Sequence, residues 1–207
     1  MIFEEGGIYH IYNQGNNRRV VFFSRDNYLF FLKKIRQHVT PYADVLAWCL
    51  MPNHFHLMVF VRSVQLGSQG LTLSQTLTSV GAGYGKNMDF NFSIGKMQGS
   101  YTRAINIQQG FSGSLFRKGT KAICLNEVNG VSPSWQAVQG AFRLNVSIPE
   151  REYPQVCFNY LHNNPVAAGL VTRPEGWEFS SFRDYAGLRD GKLISRARAV
   201  ELGLQVG

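Results

Sequence analysis

The stretch MPNHFHLMVFV, from Met51 to Val61, sets His54 and His56 inside an otherwise apolar run. A short apolar run bounded by turn residues reads as a buried strand. Residues two apart on a strand share a face and lie about 6.5–7 Å apart along it. His54 and His56 therefore point together, with Phe55 and Leu57 on the other side. Two neutral imidazoles on one rigid strand make half of a metal site. The pattern also fits a coincidental pair, hydrogen-bonded in a core or at a sheet edge. A third ligand has to separate the two readings. The other histidines, His10, His38 and His162, show no fixed spacing to this pair.

The neighbouring segments give the strand a fold to sit in. Ile8 to Asn13 reads as a first strand, with Gln14 to Asn17 as its turn. Ser24 is a candidate N-cap for a helix in which Leu29, Phe30, Leu32, Ile35 and Val39 recur at helical spacing. Asn27 takes the place of the Glu or Gln of a capping box, so the cap is expected to be partial. Lys33, Lys34 and Arg36 belong to the solvated positions. Ala43 to Leu50 is a second strand, and the short link Met51-Pro52-Asn53 favours an antiparallel pair with His54 to Val61.

Further along, Leu71 to Met88 has helical character weakened by three glycines. Lys96 to Gln109 is a better helix, Gly110 to Gly119 a loop or hairpin, and Ala122 to Leu125 a short strand. Asn126 to Ile148 reads as loop-rich connecting structure. Pro154 to Asn164 is a helix, with Pro165 expected to stop it. Trp177, Phe179, Phe182 and Tyr185 are expected to pack on the body. Helices interleave with strands joined by short links, which gives an α+β class with an antiparallel sheet.

The segment FNYLHNNPVAAGLV supplies the missing donor. On a helix Tyr160 and Asn164 are i and i+4, on one face. Asn164 can offer a carbonyl oxygen, which Mg²⁺ or Mn²⁺ accepts while keeping positions open for phosphate. Tyr160 then stands one turn away, aimed at whatever the metal holds. By itself the pair also fits an aromatic packed on the body and an Asn closing a helix. Tyr101, in SYTRAIN, is a rival nucleophile, but its spacing to Asn106 is poorer.

Charge points the same way. Lys and Arg number 21 against 13 Asp and Glu, a formal net charge of +8. Such an excess favours anionic partners, with nucleic acid foremost. Three widely spaced cysteines form neither a disulfide framework nor a zinc ladder, which suits a reducing cytoplasm. No signal segment opens the chain and no apolar run is long enough to span a membrane. Arg18, Arg19, Arg117, Lys118 and Lys121 cluster in loops, and Arg103 lies on a helix; all are candidate phosphate contacts. Phe111 and Phe116 are candidates for stacking on unpaired bases.

Taken together, these segments resemble the single-tyrosine HUH transposases, named for a His-hydrophobe-His motif, and most of all the REP-associated tyrosine transposase branch. The matching stretches are Tyr9–Leu32, Ala47–Val61, Ser112–Ala122, Tyr160–Val171 and Trp177–Gly187, in the family's order. The resemblance implies a ferredoxin-like HUH domain over residues 1–187, with 188–207 as a C-terminal tail. Residues 63–96 and 126–149 match poorly and look like insertions or divergent segments. It implies His54, His56 and Asn164 as ligands of Mg²⁺ or Mn²⁺ and Tyr160 as the catalytic nucleophile. It further implies cleavage and strand transfer of single-stranded DNA beside a hairpin, through a 5′-phosphotyrosine. The expected partner is single-stranded or hairpin DNA, with no membrane, for a cytoplasmic, nucleoid-associated monomer or homodimer. Two other functions remain open: a hairpin-binding protein of the same fold without turnover, and an unrelated metal hydrolase.

Overall fold

A computed structural model describes residues 1–66, 88–126, 135–138, 141–144 and 152–206. The expectation for residues 71–88 falls almost wholly outside them. Among the described residues the strands and α-helices up to residue 124 are β1 (Ile8–Gln14), α1 (Arg25–His38), β2 (Ala43–Met51), β3 (His54–Val61), α2 (Phe90–Gln109) and β4 (Lys121–Cys124). Their sheet is antiparallel in the order β2-β3-β1-β4. This βαββαβ succession with β1 and β3 central is the ferredoxin-like arrangement. A separate hairpin, β5 (Trp135–Val138) and β6 (Ala141–Leu144), lies where loop was expected. Then come α3 (Tyr153–Ala167), α4 (Phe182–Tyr185) and α5 (Arg196–Glu201).

The sheet separates two apolar layers. Ile11, Phe55, Leu57 and Val59 face α1 and α2, packing on Phe31, Ile35, Met97 and Tyr101. Ile8, Leu46 and Met58 face α3, packing on Phe158 and Leu161. Ala199 of α5 and Leu204 close the second layer. Trp177 Nε1 donates to Leu50 O at 3.0 Å, and Phe179 stacks on Tyr28 with centroids 3.8 Å apart. The expected packing of these aromatics on the body is thus realised.

Four local expectations need correction. The buried stripe of α1 runs through Asn27, Tyr28, Phe31 and Ile35, while Leu29 is exposed. Leu29 lies about 100° around the helix from Tyr28, which takes it off the core face. The cap of α1 is complete rather than partial: Asn27 Oδ1 accepts from Ser24 N at 3.2 Å and from Phe23 N at 3.0 Å. Helix α2 starts at Phe90, six residues before the expected Lys96, because Asp89 caps it by accepting from Phe92 N. Helix α3 runs through Pro165 instead of stopping there. Its chain reverses at Gly169, with φ of 68°, where the Leu170 amide donates to Pro165 O. Glycine closes such a turn without the Cβ clash that other residues meet.

The β2–β3 hairpin tip docks on the loop after β1. Val21 and Phe22 amides both donate to Pro52 O, and Gly15 N donates to Asn53 O at 2.8 Å. Any side chain at position 15 meets Arg19 O, whose oxygen lies 2.2 Å from where a Cβ would stand. Only glycine lets these backbones approach so closely.

Candidate active site

The α3-facing side of β3 carries His54, His56 and Met58, and β1 adds His10 and Tyr12 on the same side. Helix α3 lies over this face and brings Tyr160 and Asn164 down onto it. Asn164 Nδ2 stands 3.2 Å from His56 Nε2. The same amide is hydrogen-bonded to His54 and to Tyr160. The Tyr160 ring meets His56 edge-on, with centroids 5.4 Å apart, and His10 at 6.1 Å. The His54 and His56 rings are perpendicular, with centroids 4.9 Å apart. The four residues singled out as ligands and nucleophile thus meet at one point, with Asn164 touching the other three.

Burial sets the electrostatics. Desolvation pushes His54 down to about 4 and His56 well below the usual imidazole value. Both rings are therefore neutral at pH 7, the form that binds metals. Burial raises the Tyr160 phenol above its ordinary value, and the hydrogen bond with Asn164 opposes that rise. Each histidine turns its Nδ1 to a protein partner: His54 to Asn53 Oδ1 at 2.5 Å, His56 to His10 Nε2 at 2.8 Å. That leaves both Nε2 atoms as possible metal ligands. Among the described residues no three His, Cys, Asp or Glu side chains form a metal ligand set. A cation here needs the Asn164 amide oxygen, which a half-turn of the amide brings round to His56. Two neutral imidazoles and an amide oxygen suit a divalent ion that retains open positions.

The basic residues divide. Arg18 and Arg19 sit in the loop after β1, and Arg117 and Lys118 in the loop before β4. Backbone bonds staple these loops together, from Asn16 N to Leu115 O and from Arg117 N to Gln14 O. A buried cluster reinforces the staple: Asn13 Nδ2 reaches Gln98 Oε1 at 2.8 Å and Thr120 Oγ1 at 3.2 Å. Lys121 lies in β4 rather than in a loop, opposite Tyr12 in the register and so on the histidine face. Arg103 is exposed on α2, the layer across the sheet from the histidines.

Four other residues are placed or sharpened by the structure. Phe116 is buried in the core and has no face to offer a base. Phe111 is exposed, with the Arg19 guanidinium 4.6 Å above its ring. Tyr101 is fully buried in the layer opposite Tyr160 and donates to Val21 O at 2.8 Å. His162 faces away from Tyr160, bonded to Ser181 Oγ at 2.8 Å among Phe158, Phe182 and Tyr185. His10, Tyr12 and Asn53 were not singled out by the sequence. Alternation along β1 marks His10 and Tyr12 as one face, but only the β1–β3 pairing brings that face to His56. Asn53 also donates to Arg18 O at 3.2 Å, tying His54 to a residue held at φ of 58°.

No protein-family model matches the chain, and no curated protein matches it in sequence. A solved structure does match: a REP-associated tyrosine transposase bound to a REP hairpin. The TM-score is 0.53 at 15% sequence identity, over 95% of each chain. The chain therefore has the fold of that transposase, an α+β domain around an antiparallel sheet. At this identity the likeness speaks for the fold alone. Among the described residues no helix is long and apolar enough to cross a membrane.

The buried histidines make stability depend on pH. Desolvation lowers His162 to about 3 in the folded state, against about 6.5 when unfolded. The unfolded chain binds the proton first, so the contribution is whole above about pH 6.5 and is lost as pH falls toward the folded value. The urea midpoint of the metal-free protein is expected to fall steadily from pH 7 to pH 4. His162→Gln is expected to show a shallower fall over that range.

Proposed function

We propose that this chain cleaves and rejoins single-stranded DNA beside a hairpin, with Tyr160 as the nucleophile. The observation that carries this reading is the meeting of Tyr160, His54 and His56 on the Asn164 amide. The fold adds support, since the solved neighbour is bound to a REP hairpin.

Asn164, His54 and His56 would hold Mg²⁺ or Mn²⁺, which when bound withdraws charge from the scissile phosphate. Tyr160 oxygen attacks phosphorus, a bond forms between them, and the 3′ oxygen leaves and takes up a proton. The products are a 5′-phosphotyrosyl protein and a free 3′-hydroxyl. A covalent intermediate divides one hard step into two easier ones. The bond energy is retained, so a different 3′-hydroxyl can reverse the step and transfer the strand without ATP. The phenol must lose its proton, and its burial makes that harder; Asn164 is the group that eases it. Arg18, Arg19, Arg117 and Lys118 would grip phosphates beside the cleft, and Lys121 would do so on the sheet face itself. Phe111 offers an exposed ring for an unpaired base.

Burial of Tyr160 also favours a second reading, a hairpin-binding protein of the same fold without turnover. One assay separates the two. Mixed with a single-stranded hairpin oligonucleotide and Mn²⁺, the protein is expected to give a covalent protein–DNA band that Tyr160→Phe abolishes. A band that survives Tyr160→Phe removes Tyr160 as nucleophile; hairpin binding without any band supports the second reading. Salt titration tests the grip. Arg117→Ala or Lys121→Ala is expected to reduce the slope of log affinity against log salt by about 0.7, whereas Arg103→Ala leaves it unchanged.

A further inference from the structure

One proton lies between His10 Nε2 and His56 Nδ1, which are 2.8 Å apart. The two rings are tilted by only 25°, with centroids 5.0 Å apart. Side-by-side, nearly coplanar rings suit an in-plane N–H···N bond rather than a face-to-face stack. Which ring carries the proton decides what His56 presents at its other nitrogen.

The contacts around His56 answer that question. Asn164 Nδ2 stands 3.2 Å from His56 Nε2. In this orientation of the metal-free amide its NH₂ group faces the ring and only donates, so Nε2 is the acceptor. A neutral imidazole with a bare Nε2 carries its hydrogen on Nδ1. His56 therefore donates to His10, which accepts through Nε2. His10 and His56 are both almost wholly buried, so water offers no easy substitute for this bond. The register makes the contact possible: His10 pairs with Met58 and Tyr12 with His56, which sets His10 diagonally beside His56 on one face.

We propose that His10 is the positioning residue of His56: it accepts the Nδ1 hydrogen, holds that tautomer, and so aims the Nε2 lone pair into the cleft with Asn164. The purpose of this arrangement rests on the metal-site reading above, whereas the tautomer does not. Ligating histidines characteristically give their second nitrogen to such an outer partner. An apolar residue at position 10 would leave a buried N–H without a partner, and moving that hydrogen to Nε2 would block the lone pair.

The test begins with metal-free protein. Long-range proton–nitrogen NMR, with the His56 signals assigned by their loss in His56→Gln, reports which nitrogen is protonated. Wild type is expected to show Nδ1 protonated and Nε2 bare. His10→Phe is expected to move the hydrogen to Nε2 and to weaken Mn²⁺ binding, measured by calorimetry, about 10- to 100-fold. His10→Gln keeps an acceptor and is expected to restore most of both. A wild-type His56 protonated on Nε2 overturns the proposal, and needs no variant to fold. So does a His10→Phe protein with unchanged tautomer and unchanged Mn²⁺ affinity. The expected tautomer without any Mn²⁺ binding overturns the ligand role together with the metal-site reading, and leaves the hydrogen bond standing.

Discussion

The register of β3 between β1 and β2 is the constraint on which the rest depends. Phe55, Leu57 and Val59 are buried against α1 and α2, and so His54, His56 and Met58 must face α3. A slip of one residue would bury both imidazoles in an aromatic core and put two aromatics or aliphatics in the cleft. Pairing on both sides of β3, from His54 to Phe60, holds the register. The large apolar side chains of β3 thus do two things at once. They bind the sheet to its helices, and they fix the direction in which the histidines point.

Helix α3 completes the site from the opposite side, and its own packing fixes where the chemistry can fall. Phe158 and Leu161 sit in the second apolar layer, which sets the rotation of the helix. Tyr160 and Asn164 then share the face toward the histidines, and His162 turns toward Ser181. Burial keeps the histidines unprotonated and disfavours ionisation of the tyrosine. The same desolvation therefore prepares the proposed ligands and restrains the proposed nucleophile. The Asn164 amide, in contact with both histidines and the phenol, acts on both sides of this balance.

Much of this was legible in the residues because it is local. The apolar run HFHLMVFV gives the strand, the period of two gives its faces, and the Met51-Pro52-Asn53 link gives the antiparallel partner. The i, i+4 spacing puts Tyr160 and Asn164 together without knowledge of the fold. What escaped was non-local or depended on one atom's partner. His10 has no sequence spacing to His56, since a sheet pairing across 46 residues brings them together. Phe116 reads as a loop aromatic, yet the staple between its loop and the end of β1 carries it into the core. Pro165 reads as a stop, but the turn at Gly169 ends the helix later. The cap of α1 reads as partial because Asn27 is shorter than the usual Glu or Gln, yet its oxygen reaches the Phe23 and Ser24 amides.

One strand face and one helix build the proposed cation site, from His54, His56 and Asn164. Pulsed EPR of the Mn²⁺-loaded protein reads the nitrogens bound to the ion directly. Modulation from two imidazole nitrogens is expected, falling to one in His54→Gln and in His56→Gln. A spectrum without imidazole nitrogen, or one unchanged by either substitution, rules that site out.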